Sequence, residues 1–307
     1  MKMKPSILKD TLMAVTYRFL SWLSPKILLS LHYKRVYKKR LNWDNLSTID
    51  EKISWLKLNA DTTKWSLYTD KYRVREHLKE MGLGNLLVKL YGKWDKPEDI
   101  DWAKLPQQFI VKTNNGSGEV LICKDKSKED IGYMTVKVRK MSERKTGSYL
   151  YEPHYDSIKP CIIAEELLDV SKQAIESSSV VDYKVWAFDG KAAYIWVCFN
   201  RTPHSVECQV YDTDWNFHPE YSVSTPHYVL SNMEIPKPKC LKQMLSVAET
   251  LSKGFPELRC DLYEVDGKLY FGEMTFTASA GFNYFYSEQF RIILGKLCDL
   301  SKAKTRY

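Results

Sequence analysis

Apolar and polar positions roughly alternate along residues 259–275, and the alternation breaks once, at Asp266-Gly267. Alternation predicts two strands, and the dipeptide predicts the turn joining them, because a type I′ turn needs positive φ at both central residues. With that turn, residues whose numbers sum to about 533 face each other, so Asp261 falls beside Glu273. The same pattern around Asp189-Gly190 predicts a second hairpin from Val181–Phe188 and Ala192–Phe199. Phe109–Lys112 and Val120–Lys124 read as strands flanking Thr113-Asn114-Asn115-Gly116-Ser117-Gly118-Glu119. Pro160–Leu168 reads as a buried strand with a polar edge, and Lys89–Tyr91 as a short one.

Helical spacing appears elsewhere. Leu8, Leu12, Val15, Phe19 and Trp22 predict an N-terminal amphipathic helix, followed by apolar Ile27–Leu31 and the basic cluster His32–Arg40. Residues 47–60 open with a capping signature. Further helices are expected from Asp70 to Met81, over 127–144, and from the two prolines of 236–239 onward.

The length of 307 residues suits two domains, and 44% hydrophobic with 27% charged residues describes an ordinary soluble globular chain. A net charge of +8 suits polyanionic ligands such as nucleotides, anionic saccharides or a membrane surface. No nucleic-acid-reading motif occurs, so no nucleic-acid partner is expected. Seven cysteines without a Cys-x-x-Cys pair predict reduced core thiols in a cytoplasmic protein rather than a zinc site. The basic, then apolar N-terminus is interrupted by Arg18, Pro25 and Lys26 and lacks an Ala-x-Ala site, so neither a signal peptide nor a membrane span is expected. It reads either as a peripheral attachment to an anionic membrane or as a helix packed on its own domain.

The candidate chemistry sits at the two glycine-containing turns. Asp261 and Glu273 repel unless a cation lies between them, and Mg²⁺, which shares its oxygen ligands with phosphates, would remove that conflict. Arg259, two residues before Asp261, projects to the same face. The alternative is an exposed, solvated hairpin face that Arg259 neutralises. In loop 113–119 two glycines and two asparagines can turn backbone N–H groups inward as a phosphate nest, with Lys112 adding a point charge. The alternative there is an ordinary hairpin tip. The loop is neither a P-loop nor a dinucleotide fingerprint. Asp212-Thr213-Asp214 reads as a turn.

Taken in order, Asp50–Leu58, Thr69–Arg75, Lys112–Gly118, Ile162–Leu168, Asp182–Val185, Arg259-x-Asp261 and Gly272–Thr277 resemble an ATP-grasp enzyme. More narrowly, the chain is similar to the TupA-like branch, associated with teichuronopeptide and surface-polysaccharide biosynthesis. The resemblance spans roughly residues 40–300. It implies an α+β ATP-grasp fold, with two α+β subdomains clasping ATP and an N-terminal helical extension. The implied division is a helical region over 1–60, a linker with an N-terminal subdomain over 61–107, a lid over 108–185 and a C-terminal subdomain with the metal hairpin over 186–307.

The resemblance also implies site roles. Lys71 and Lys112 contact phosphates, with Lys184 a further candidate, and Asn115, Gly116, Ser117 and Gly118 close over the triphosphate. The hinge from Glu165 through Glu166 to Leu168 pairs with adenine, and Asp182 holds the ribose. Asp261 and Glu273 bind Mg²⁺, with Thr275 where many relatives carry Asn, and Arg259 and Lys112 are the catalytic cations. The implied reaction is ATP-dependent amide formation on a carboxylate through an acylphosphate, in capsule, O-antigen or teichuronopeptide assembly. Its partners would be a carboxylate-bearing saccharide and an amine or amino acid. The alternatives are a phosphotransferase acting on a sugar hydroxyl and a catalytically silent assembly module.

Overall fold

The computed structural model describes residues 16–306 except 18, 117 and 145–148. Two sheets organise them. The smaller has the order β1-β4-β2-β3 and consists of Leu90–Trp94 (β1), Phe109–Thr113 (β2), Val120–Cys123 (β3) and Ile162–Glu165 (β4), all antiparallel. The larger consists of Asp182–Phe188 (β5), Lys191–Phe199 (β6), Val206–Asp212 (β7), Tyr228–Leu230 (β8), Leu258–Val265 (β9) and Lys268–Thr275 (β10), in the order β10-β9-β5-β6-β7-β8. Only its β7–β8 edge is parallel. The boundary expected at 185/186 falls inside β5, whose residues all pair with β6 or β9.

Around these sheets lie the α-helices Pro25–Tyr37 (α1), Ile49–Asn59 (α2), Thr63–Thr69 (α3), Val74–Glu80 (α4), Ile131–Ser142 (α5), Pro153–Asp156 (α6), Leu241–Ser252 (α7) and Glu288–Leu297 (α8). Phe109 and Val111 of β2 are buried against Met134, Val138 and Met141 of α5, which gives the small sheet its own core. β5 is almost continuously buried because both of its faces are covered. Met244, Val247, Ala248 and Leu251 of α7 belong to the separate core of the large sheet. On the sheet's other face Trp186 donates from Nε1 to Tyr286 Oη at 3.1 Å, and Trp196 stacks on Phe285 at 4.4 Å. The seven cysteines are free and buried.

Several helices start later than their spacing predicts. Asp70 Oδ1 accepts from the N–H groups of Tyr72 and Arg73, holding a turn that postpones α4 to Val74. Asp130 caps α5, so the helical turn at 126–128 stays separate. Lys237 precedes a proline and is disfavoured in helix, and α7 begins only at Leu241. The capping box is present: Thr48 Oγ1 accepts from Glu51 N–H, and Glu51 Oε2 accepts from Thr48 N–H. The Asp212 turn also forms, with Oδ1 accepting from Asp214 and Asn216. Of the N-terminal apolar positions, Leu8, Leu12 and Val15 lie outside the described residues. Among those described, no helix is long and apolar enough to cross a membrane.

One buried group gives the fold a pH dependence. His154 of α6 is 1% exposed, packs 5.7 Å from Trp65, and neither ring nitrogen has a hydrogen-bond partner. Burial, then the charge of Lys57, lowers its pKa to about 3. An unfolded histidine takes up a proton near pH 6.5, which this one refuses while folded, so stability is lost as pH falls from there towards 3, at about 1.4 kcal/mol per unit. His32, lowered to about 4 mainly by burial, adds to the slope. His154→Phe is expected to flatten the decline of urea-unfolding stability between about pH 6.5 and 4.5. An unchanged slope would assign the acid sensitivity to other groups.

Candidate active site

The β9–β10 hairpin turns at Asp266 and Gly267, whose φ values are 56° and 66°. Pairing keeps the expected sum from Lys268↔Val265 to Phe271↔Leu262 and then slips, so Glu273 pairs with Asp261 and Thr275 with Arg259. Gly272 is the extra residue of this bulge. A Cβ there would stand 2.8 Å from Asp261 O and 2.9 Å from the Tyr263 hydroxyl. Because side chains alternate along a strand, an unbulged hairpin would send Glu273 to the face opposite Asp261. The bulge brings Arg259, Asp261, Glu273 and Thr275 onto one face.

That face is buried, which overturns the solvated alternative: Asp261 is 1% and Arg259 7% exposed. Arg259 grips Asp261 with two bonds of 2.7 Å, from Nε to Oδ1 and from Nη2 to Oδ2. Lys184, opposite Asp261 on β5, bonds to Asp261 Oδ2 and lies 2.5 Å from Asp182 Oδ2. Lys71 Nζ is 3.0 Å from Glu273 Oε2, and Arg259 Nη2 is 3.8 Å from Oε1. Thr275 Oγ1 accepts from Arg259 Nη2 and donates to Glu273 Oε1, each at 3.3 Å. Three cations thus serve three carboxylates. Burial disfavours the charge on Glu273, but Lys71, Lys184 and Arg259 outweigh it and hold the carboxyl well below the usual range. Lys184 stays charged for the mirror reason: Asp182 and Asp261 overcome its burial and raise its pKa.

The glycine-rich loop is tied to this network across the two sheets. Lys71 N–H donates to Asn114 O at 3.0 Å and Lys71 Nζ to Gly116 O at 2.8 Å, while the same Nζ holds Glu273. A Cβ on Gly116 would lie 2.3 Å from Thr113 Oγ1, so a larger residue there requires the Thr113 side chain to turn away. Asn115 is half-buried, Gly118 is exposed with φ 75°, and Ser117 lies outside the described residues. Asn114 is structural, accepting from Cys161 N–H and donating to Lys159 O.

Lys112 and Glu165 form a second centre. Lys112 Nζ lies 2.5 Å from Glu165 Oε2, and Arg75 Nη1 3.0 Å from Oε1. After β4, Glu166 is exposed with its N–H donated to Lys89 O at 2.9 Å, and Leu168 is half-buried. Tyr263 joins the two centres: burial foremost, then Asp182, Glu273, Asp261 and Glu165, push its phenol up. Tyr155 is likewise pushed up by burial, Glu152 and Glu273. Sequence reasoning gave no role to Arg75, Tyr155 or Tyr263. Arg75 lies in a quoted stretch, but no spacing signal marks the tyrosines.

Beyond the hairpin, Ser279 and Ala280 adopt left-handed φ of 50° and 54°. Lys57 Nζ donates to Ala280 O at 2.8 Å, and Thr277 Oγ1 donates to Glu152 at 2.5 Å. Within 278–282, Ala278, Gly281 and Phe282 are buried and only Ser279 and Ala280 reach solvent.

Whether a divalent ion fits is decided by the donors. Among the described residues no three His, Cys, Asp or Glu side chains gather as a metal cluster. Asp261, Glu273 and the Thr275 hydroxyl offer two carboxylates and a neutral oxygen, which suits Mg²⁺ shared with phosphates rather than a cage built by protein alone. Both Asp261 oxygens are held by Arg259 and Lys184, so a metal there has to displace one of those contacts.

No protein of curated function matches the sequence. Among solved structures the chain is similar to a D-alanine–D-alanine ligase from Bacillus anthracis complexed with ATP (14% identity, TM-score 0.41, 78% of this chain and 68% of that one). It is similar to the D-cycloserine synthetase DcsG (13% identity, TM-score 0.43, 76% and 69%). A third is the ATP-grasp ligase PsnB complexed with precursor peptide PsnA2 and AMPPNP (16% identity, TM-score 0.40, 83% and 66%). The model of the TupA-like ATPgrasp family matches residues 51–299, so the chain belongs to that family and has the ATP-grasp fold.

Proposed function

We propose that the protein is an ATP- and Mg²⁺-dependent, ADP-forming carboxylate–amine ligase acting on a uronic acid or similar carboxylate in surface-polysaccharide assembly. The observation that carries this reading is the buried network of Lys71, Lys184, Arg259, Asp182, Asp261 and Glu273, tied through Lys71 to the glycine-rich loop. Such a network sets three cations that can turn to phosphate oxygens beside carboxylates that Mg²⁺ could share with a triphosphate.

In this reading Lys71, Lys112 and Lys184 neutralise phosphate oxygens, and Asn115, Gly116, Ser117 and Gly118 cover them. Asp261, Glu273 and Thr275 would hold Mg²⁺, which supplies charge neutralisation at the transferring phosphoryl group. The Asp182 Oδ1 atom is buried without a hydrogen-bond partner, which favours its pairing with a ribose hydroxyl. Glu166 N–H is committed to Lys89, so adenine pairing falls to the Glu166 carbonyl and the backbone up to Leu168, with Glu165 anchoring Lys112. The substrate carboxylate oxygen attacks the terminal phosphorus and ADP leaves. The amine then attacks the acyl carbon, loses its proton, and expels phosphate. Arg259 faces the oxyanion of that second step, where one such donor is worth about 10²–10³ in rate. The buried, unpaired cysteines support a reducing, cytoplasmic setting.

The test is ADP release with uronic acids crossed against amino acids and simple amines. ADP and phosphate formed only when both acceptor types are present is the expected result. A stable phosphorylated sugar formed without amine would make the protein a phosphotransferase. Absence of magnesium-linked ATP binding would leave a silent assembly module.

A further inference from the structure

α1 and the helical residues just ahead of it carry an outward face that no other described residue covers. α1 turns Leu28, Leu29 and Tyr33 inward, where Leu29 and Tyr33 pack with Leu41 and Phe282. Helical spacing puts Ile27 and Leu31 on the opposite side, 52% and 51% exposed, with Lys34 and Arg35 one turn further on. Just ahead, Phe19, Trp22 and Leu23 are 55%, 79% and 60% exposed. Tyr133 is the single other described large apolar side chain more than half exposed, so the concentration at this end is not ordinary surface scatter.

Charge decides what covers it. Residues 16–43 hold seven Lys or Arg and no Asp or Glu. Lys26, Lys34, Arg35, Lys38, Lys39 and Arg40 are exposed; Lys39 pairs with Glu288, Arg35 donates to the Tyr17 hydroxyl, and Lys26 lies over the Trp43 ring. A second copy docked through this face would bring two basic surfaces together. A soluble polyanion would leave Trp22 and Leu23 in water. We infer that this face docks on an anionic lipid bilayer, with Phe19, Trp22, Leu23, Ile27 and Leu31 entering the headgroup boundary and the lysines and arginines meeting lipid phosphates. The inference stands apart from the ligase reading. Its structural consequence is local: Phe282, which α1 packs against, lies seven residues past Thr275, so a docked α1 holds that segment beside the membrane.

Full-length protein sedimented with phosphatidylcholine vesicles, with and without phosphatidylglycerol, tests this. Binding is expected only to the anionic vesicles and is expected to be lost at high salt. Trp22→Ser and Leu31→Ser should weaken it about tenfold and Lys34→Glu about fivefold, with unchanged thermal melts because these side chains are exposed. No sedimentation, equal sedimentation with neutral vesicles, or variants that bind like the parent would overturn the inference. So would a concentration-dependent dimer that Trp22→Ser dissolves, which would assign the face to a second copy.

Discussion

Asp261→Asn is expected to abolish the magnesium-dependent part of ATP binding and to cut ADP formation by at least about 100-fold. The size follows from what the carboxylate does. It is one of two acids facing each other across the bulge, and it alone touches both Arg259 and Lys184. On the metal assignment proposed above, the amide would keep the shape but lose the charge that suits the oxygen to Mg²⁺, leaving Glu273 and the Thr275 hydroxyl as the remaining donors. Loss of folding is a competing cause, because Arg259 and Lys184 are buried and lose part of their compensation. The two causes separate in thermal melts. Mg²⁺ added to the ATP-bound parent should raise its Tm, and in Asp261→Asn the Mg²⁺ increment should vanish while ATP alone still stabilises. Glu273→Gln should behave alike but retain more stability, since its side chain is a third exposed. A parent protein whose Tm with ATP ignores Mg²⁺ would defeat the metal assignment.

The residues that make this site were legible in unequal measure. The turn at Asp266-Gly267 and the common face of Arg259 and Asp261 are local properties, written within a few residues of chain, and both are observed. The exact opposition of Asp261 and Glu273 is not local. Counting from the turn puts residue 272 opposite Asp261, and only the bulge at Gly272 corrects this. A glycine inside a strand pattern is the available signal for a bulge, but it does not say which neighbour is displaced. A phosphate role for Lys71 is implied by the family resemblance alone, whereas its bridging of Gly116 to Glu273 depends on how the two sheets meet. The Lys112–Glu165–Arg75 cluster joins residues up to 90 apart, which no periodicity encodes. Asp50 illustrates the limit best. In the chain it is one polar residue in a helix start, and its partners lie 233 and 241 residues away.

Those partners make Asp50→Ala the most destabilising single change expected, about 3–5 kcal/mol, or a Tm lowered by roughly 10 °C. Asp50 is fully buried on α2 and accepts from Asn283 N–H at 2.8 Å, Asn283 Nδ2 at 3.0 Å and Arg291 Nη1 at 3.1 Å. The Arg291 guanidinium also lies 4.1 Å over the Tyr37 ring. Burial raises the Asp50 pKa more than Arg291 and Asn283 lower it, so the pair gains little over an apolar filling. The large cost comes from breaking it one-sidedly, which strands a buried cation and an amide. The same logic sets the control. Asp50→Ala combined with Arg291→Met should be more stable than Asp50→Ala alone, because the stranded charge is gone. If the double variant were instead the less stable by the sum of the two single effects, the charge-stranding account would fail, and simple loss of packing around α2 and the 276–287 segment would explain the defect.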